Sequence, residues 1–338
     1  MNNSASHSTP SPSAPSSAEA ASGTDPMALC RVAAARGEAE AQFKLAEAFR
    51  TGRGEERSIT QAVTWYRRAA EQGHARAQLT LGHCCHFGKG TEPSDAEAAR
   101  LYRAAAEQGL AEAQHSYAVC CLNGRGVKPS LQEALKWYRA AAEQGNAPSQ
   151  YILGLCCEEG RGMPEPKPAE AFKWYRAAAE QGNAKAQYAL ALCYAEGVGT
   201  EASPEEAFRW YEAAAEQGMP EAQFNLSCCY AKGEGVEASQ EEAVAWCRAA
   251  AEQGMPEAQF NLSCCYAKGI GVEESQEEAL EWCRAAAEQG LADAQFWLGC
   301  YYDEQKGLKA VAEALKWHRA AARQGHAEAR SRLVVEGW

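Results

Sequence analysis

Histidine and cysteine are the side chains best able to hold a metal or attack a carbonyl near neutral pH, and they crowd together at His83-Cys84-Cys85-His86. On a helix, His83 and His86 share one face, and His115 could approach from a neighbouring helix. Zinc sites usually draw on spaced ligands of the CxxC kind, which this segment lacks. Cys84 also recurs in phase as Cys120, Cys156, Cys193, Cys229 and Cys265, as a core position would. No metal and no cofactor are expected, and a thiol-based metal or redox sensor stands only as an alternative.

The same stretch contains GHCCHFGK, Gly82 to Lys89, which is one residue too long for a phosphate-binding loop and lacks the hydroxyl residue after the lysine. The motifs HExxH, GxSxG and SxxK are absent from the chain. No catalytic residue is assigned and no small-molecule substrate is expected.

Fifteen cysteines suggest a disulfide framework. The count is odd, however, and ten of them form adjacent pairs: Cys84–Cys85, Cys120–Cys121, Cys156–Cys157, Cys228–Cys229 and Cys264–Cys265. Neighbours on a helix point about 100° apart and cannot bridge without breaking it. Reduced, buried thiols in a cytoplasmic protein fit better. The net charge of −12 argues against a nucleic-acid surface, and no run is long and apolar enough for a membrane span. Residues 1–26, rich in Ser, Pro and Ala, lack the features of an export signal and are expected to be disordered.

What positions these side chains is a repeat. The unit AEQG-x-x-x-A-Q-x-x-L-small returns with its glutamine at Gln42, Gln78, Gln114, Gln150, Gln187, Gln223, Gln259 and Gln295, and Arg330 stands where a ninth would fall. A period of this size marks stacked supersecondary units rather than one closed core. In the unit 220–254, Ala222, Leu226, Ser227 and Tyr230 make one helix face, and Lys232-Gly233-Glu234-Gly235 ends it. Ser239 to Glu242 reads as a capping box for a second helix, whose stripe is Ala243, Trp246, Cys247, Ala250 and Ala251. The small residue after each repeat leucine is expected to receive the tryptophan of the second helix: Trp65, Trp137, Trp174, Trp210, Trp246, Trp282 or Trp317, with Leu101 once. Residues 27–338 are therefore expected to form an all-α, right-handed superhelical solenoid of about eight helix-turn-helix repeats, with half-repeats at both ends.

These residues resemble the Sel-one-like repeat family, whose pattern AxAQxxLGxxYxxGxGV is followed after a gap by AxxWYxxAAxxG. The resemblance covers about residues 28–338. It implies a fold similar to tetratricopeptide repeats and a role as a non-enzymatic adaptor or scaffold with protein partners. Some cysteine-rich relatives are described as β-lactamases, which makes a hydrolase of that kind the alternative. Their cysteines are spaced several residues apart, and the adjacent pairs here do not reproduce that spacing. Two units, 217–254 and 253–290, differ at only four aligned positions: Glu234/Ile270, Ala238/Glu274, Val244/Leu280 and Ala245/Glu281. Near-identical units favour geometry over a unique chemical site.

By analogy with tetratricopeptide stacks, the position after each repeat glutamine should face a concave groove. It is Phe43, Leu79, His115, Tyr151, Tyr188, Phe224, Phe260 and Phe296, and four residues on lie Leu155 and Leu192 among others. Such a semi-apolar strip suits an extended peptide or an amphipathic helix. The competing reading is that these rings only pack between neighbouring helices.

Overall fold

The computed structural model describes residues 25–335, and among them every regular element is a helix. The chain divides after Pro129 into two compact units. The first holds α1 (Pro26–Ala35), α2 (Ala39–Thr51), α3 (Ile59–Glu71), α4 (Ala75–Phe87), α5 (Asp95–Glu107) and α6 (Ala111–Asn123). The second opens with α7 (Leu131–Glu143), α8 (Ala147–Glu159), α9 (Pro168–Ala179), α10 (Ala184–Glu196), α11 (Pro204–Glu216) and α12 (Pro220–Lys232). It continues through α13 (Gln240–Glu252), α14 (Pro256–Lys268), α15 (Gln276–Glu288), α16 (Ala292–Asp303), α17 (Leu308–Arg323) and α18 (Ala327–Val335). Even-numbered helices carry the repeat glutamine and are called A helices; the odd ones are B helices. Within each unit every helix packs against the next in sequence, so the fold is an all-α array of stacked hairpins.

Most of the tail read as disordered, residues 1–24, lies outside the described residues. Asp25 caps α1 by accepting the Met27 N–H at 3.0 Å, so the first helix starts at Pro26, one residue ahead of the boundary set at 27.

The glycine-rich turns end the A helices as the sequence suggests. Gly233 takes a φ of 73° and its N–H returns to the Cys229 carbonyl. The second glycine has a different duty. A Cβ on Gly235 would stand 2.1 Å from the Pro204 carbonyl oxygen, so this residue lets the turn press onto the start of the preceding B helix. Ser239 caps α13 by accepting the Glu242 N–H at 3.2 Å. The reciprocal half of the expected capping box is not made, because the Ser239 N–H already donates to the Tyr230 carbonyl. The last repeat, which lacks the first turn glycine, ends α16 on a right-handed cap at Glu304, and its B helix is 16 residues long where most have 13.

The repeat glutamine is buried at every occurrence from Gln42 to Gln295. Gln223 on α12 donates its Nε2 to the Ala215 carbonyl on α11 at 3.2 Å and accepts from Gln253, in the turn after α13, at 2.8 Å. Both conserved elements of the repeat, the AQ pair and the AEQG turn, thus meet in one amide clasp that ties an A helix to the B helices before and after it. Within each unit the bonds recur, from Gln42 (to Ala34, from Gln72) in the first to Gln295 (to Ala287, from Gln324) in the second. At the ninth position Arg330 donates its Nε to the Ala322 carbonyl at 3.1 Å.

The expected pairing of small residue with tryptophan is corrected by one position. A Cβ on Gly154 would lie 2.4 Å from the ring of Tyr175, and one on Gly82 would lie 2.6 Å from Tyr102. The small residue therefore receives the residue after the tryptophan: Tyr102 and Tyr175, or in the last repeat His318. Tyr66, Tyr175 and Cys283 are fully buried, while Trp65, Trp137, Trp174, Trp210, Trp246 and Trp282 are only half-buried. In the stripe of α13, likewise, Val244 is buried and Trp246 is not.

Candidate functional site

Each A helix has one side against its B neighbours and one side that no other element fully covers. The position after the glutamine lies at that edge: Phe43, His115, Tyr151, Tyr188, Phe224, Phe260 and Phe296 are all half-buried, as are Leu155 and Leu192. One side of each of several rings packs inward. Tyr151 sits 6.0 Å from Tyr175 and Tyr188 sits 5.9 Å from Tyr211, centroid to centroid. Phe43 stacks on His74 at 4.8 Å, and Phe296 stacks on His326 at 4.5 Å. Phe224 and Phe260 rest on the clusters around Cys247 and Cys283. The rings thus serve the core while keeping part of their surface open.

Between successive A helices the surface is indented. In the second unit a cavity of about 530 Å³ opens between α10 and α12, lined by Leu192, Glu196, Tyr211, Asn225, Cys228 and Lys232 among others. In the first unit a cavity of about 250 Å³ lies between α4 and α6, with His83, His86, Phe87, Tyr102, His115 and Arg125 on its wall. The residues bordering both include the predicted strip positions, His115 and Leu192.

The histidines of the first cavity are not assembled as a metal centre. His86 Nδ1 is 2.6 Å from Asp95 Oδ1, and its Nε2 is 3.2 Å from the Arg125 guanidinium. His83 packs its ring near Tyr102, and Cys84 and Cys85 are buried in the core. Desolvation holds both His83 and His115 below the ordinary imidazole range, so their neutral forms prevail at pH 7.

All fifteen cysteines are unpaired, and none is fully exposed. Burial pushes the thiols of Cys85, Cys120, Cys157, Cys193 and Cys229 up to about 11, and those of Cys247 and Cys283 up to about 12. The thiolate is the reactive species, so burial keeps these seven thiols protonated and slow to react at neutral pH. Cys247 even donates its Sγ–H to the Ala258 carbonyl at 3.2 Å. We expect a disulfide-exchange reagent at pH 7.5 to modify these seven thiols at least about a hundredfold more slowly in the folded protein than in denaturant, given the thiolate fraction lost. Prompt labelling of all fifteen without denaturant would contradict this.

One group of chemical residues escaped the sequence reading. Cys300 and Asp303 on α16 meet His318 on α17, with ligand-capable atoms all within 4.8 Å of one another, the one such trio among the described residues. The signal was present as a break in the repeat. His318 occupies the position held by tyrosine or cysteine elsewhere, and Asp303 stands where the sixth and seventh repeats carry alanine, two residues before the turn loses its first glycine at Gln305.

The family model for the Sel1 repeat matches eight consecutive segments: residues 39–74, 75–110, 111–146, 147–183, 184–219, 220–255, 256–291 and 292–326. Among solved structures, c5321, a protective antigen present in uropathogenic Escherichia coli strains and displaying an SLR fold, aligns with a TM-score of 0.82 and 34% identity. That alignment covers 92% of this chain and 67% of the antigen. A Sel1 repeat protein from Oxalobacter formigenes aligns with a TM-score of 0.65 and 33% identity, over 92% of this chain and 90% of that one. No protein of curated function matches the sequence.

Proposed function

The chain belongs to the Sel1 repeat family, and from that premise we propose that it is a non-enzymatic adaptor that holds a segment of a partner protein along its A-helix face. The observation that carries this reading is the row of half-buried A-helix side chains, Tyr188 and Phe224 among them, with Leu192 on the wall of an open indentation. Such a surface offers apolar anchors at the spacing of the repeat, with Glu196, Asn225 and Lys232 as polar partners at its rim. An extended peptide or one face of a helix supplies the complementary pattern. Near-identical neighbouring units suit this use, since they repeat one contact instead of building one reactive centre. The protonated, buried thiols speak against the alternative of a thiol sensor.

The test compares partner recovery from the native host by wild-type protein and by the triple variant Tyr151→Ala, Tyr188→Ala and Phe224→Ala. Thermal unfolding followed by circular dichroism establishes that the variant still forms the array. Specific partners are expected to be lost from the triple variant and retained by a control with Arg209→Ala and Lys173→Ala on exposed B-helix positions. Equal recovery by both variants would overturn the assignment of the A-helix face.

A further inference from the structure

We propose that Cys300, Asp303 and His318 form a transition-metal site in the eighth repeat, with Zn2+ as the cation their donors fit. A thiolate, a carboxylate and an imidazole are a borderline-soft set of the kind zinc accepts. Cys300 and Asp303 are three residues apart near the end of α16 and so share a face, while His318 comes across from α17. Tetrahedral zinc places such donors about 3.3–3.7 Å apart at ordinary bond lengths. Their atoms already lie within 4.8 Å of one another, and His318 Nε2 is 2.9 Å from Asp303 Oδ2. Small side-chain movements are enough to close around an ion.

The second observation is that one nitrogen of this buried imidazole has no partner, its other nitrogen facing Asp303. His318 is 0% exposed, and its Nδ1 has no hydrogen bond. Buried polar atoms in folded proteins are nearly always satisfied, and an orphan calls for a ligand or a proton from outside the chain. The ring is held in place: it stands over Gly299, where a Cβ would come within 2.6 Å, and Phe296 flanks it at 5.6 Å. Asp303 is held in turn by Arg332, whose guanidinium approaches Oδ2 at 2.9 Å. Ligands fixed by outer partners in this way are the hallmark of a built metal centre rather than a chance encounter.

The other repeats provide an internal comparison. The sixth and seventh have cysteine where Cys300 stands (Cys228 and Cys264), but alanine where Asp303 stands (Ala231 and Ala267) and cysteine in place of His318. Only the eighth combines three different donors. On binding, the Cys300 S–H bond breaks and the proton leaves to solvent. The thiolate sulfur, a carboxylate oxygen and one imidazole nitrogen each donate a lone pair, the ring's single N–H proton residing on the nitrogen that does not coordinate, and water completes the fourth position. No electron transfer is involved.

The experiment is a Co2+ titration of the reduced full-length protein, followed by displacement with Zn2+. One equivalent should bind and give a thiolate-to-cobalt charge-transfer band together with strong tetrahedral visible bands, all lost on adding Zn2+. Two variants assign the site. His318→Tyr installs the residue that Tyr175 shows to fit above a glycine at this position, and it should weaken cobalt binding more than about 100-fold, beyond the effect of losing an outer partner. Cys300→Ser, which is near-isosteric, should abolish the charge-transfer band with helicity unchanged. A wild-type protein without the cobalt spectrum, a His318→Tyr variant that binds cobalt as tightly as wild type, or a charge-transfer band that survives in Cys300→Ser would overturn the proposal.

Discussion

Replacing Gln223 by Glu should destabilise the second unit by about 3–5 kcal/mol at pH 8, the range for a buried charge left without compensation. The substitution changes almost no volume, so packing is not the cause. In the wild type the amide nitrogen donates to the Ala215 carbonyl, and its oxygen accepts from Gln253. A carboxylate can still accept from Gln253 but can only oppose the lone pairs of Ala215, in a side chain that is 6% exposed. The pH dependence carries the signature. Burial and the facing carbonyl raise the folded-state pKa of the new acid above its unfolded value of about 4.3. Below that unfolded value both states are protonated, and the acid can donate as the amide did. The penalty then grows as pH rises through the folded-state pKa, so the variant should approach wild-type stability near pH 4 and fall away from it toward pH 8. Gln223→Leu, which removes hydrogen bonds without adding charge, should cost about 1–3 kcal/mol with no such slope. Denaturant melts of the three proteins at pH 4, 6 and 8 make the comparison. A Gln223→Glu protein as stable as wild type at pH 8 would mean that the clasp does not hold the stack.

Much of this architecture is legible in the chain because a repeat supplies eight readings of each position. Phase alone located the helical hairpins, the serine caps and the glycine ends. Phase is weaker where two neighbours are both large. Trp174 and Tyr175 differ by about 100° around one helix, and both recur. Which of them enters the notch of Gly154 is decided by how α8 and α9 cross, which one sequence does not state. The glutamine was visible as a marker but not as a clasp, since its partners Ala215 and Gln253 sit 8 and 30 residues away, on α11 and in the turn after α13. The capping box at Ser239 failed in its second half for a similar reason, the Tyr230 carbonyl having claimed the backbone N–H. The trio in the last repeat was hidden by the very regularity that revealed the rest. Cys300 shares its position with Cys228 and Cys264, and His318 takes a position that tyrosine or cysteine fills in the other repeats.

The notch itself gives the second large effect. Gly154→Ser should cost at least about 1–3 kcal/mol, the usual range for overpacking, because its Cβ would overlap Cδ1 and Cε1 of Tyr175 at 2.4 Å and neither helix can retreat freely. Tyr175→Cys alone should cost about 3–5 kcal/mol, comparable to truncating a buried aromatic, since that ring is 0% exposed and its hydroxyl donates to Glu158 at 2.6 Å. The chain already contains the compensated form of both changes. In the sixth repeat the same two positions are Ser227 and Cys247, both buried, with the serine hydroxyl donating to the Phe224 carbonyl at 2.6 Å. Gly154→Ser combined with Tyr175→Cys should therefore lose less stability than the sum of the single changes, with a coupling of about 1–3 kcal/mol in a double-mutant cycle. Glu158, left without its tyrosine, is exposed and can turn to water, so it does not penalise the pair. Strict additivity would mean that the two residues do not share one notch. A positive coupling would mean that the glycine–tyrosine and serine–cysteine pairs are alternative fillings of the same space, which is how one backbone repeat tolerates both.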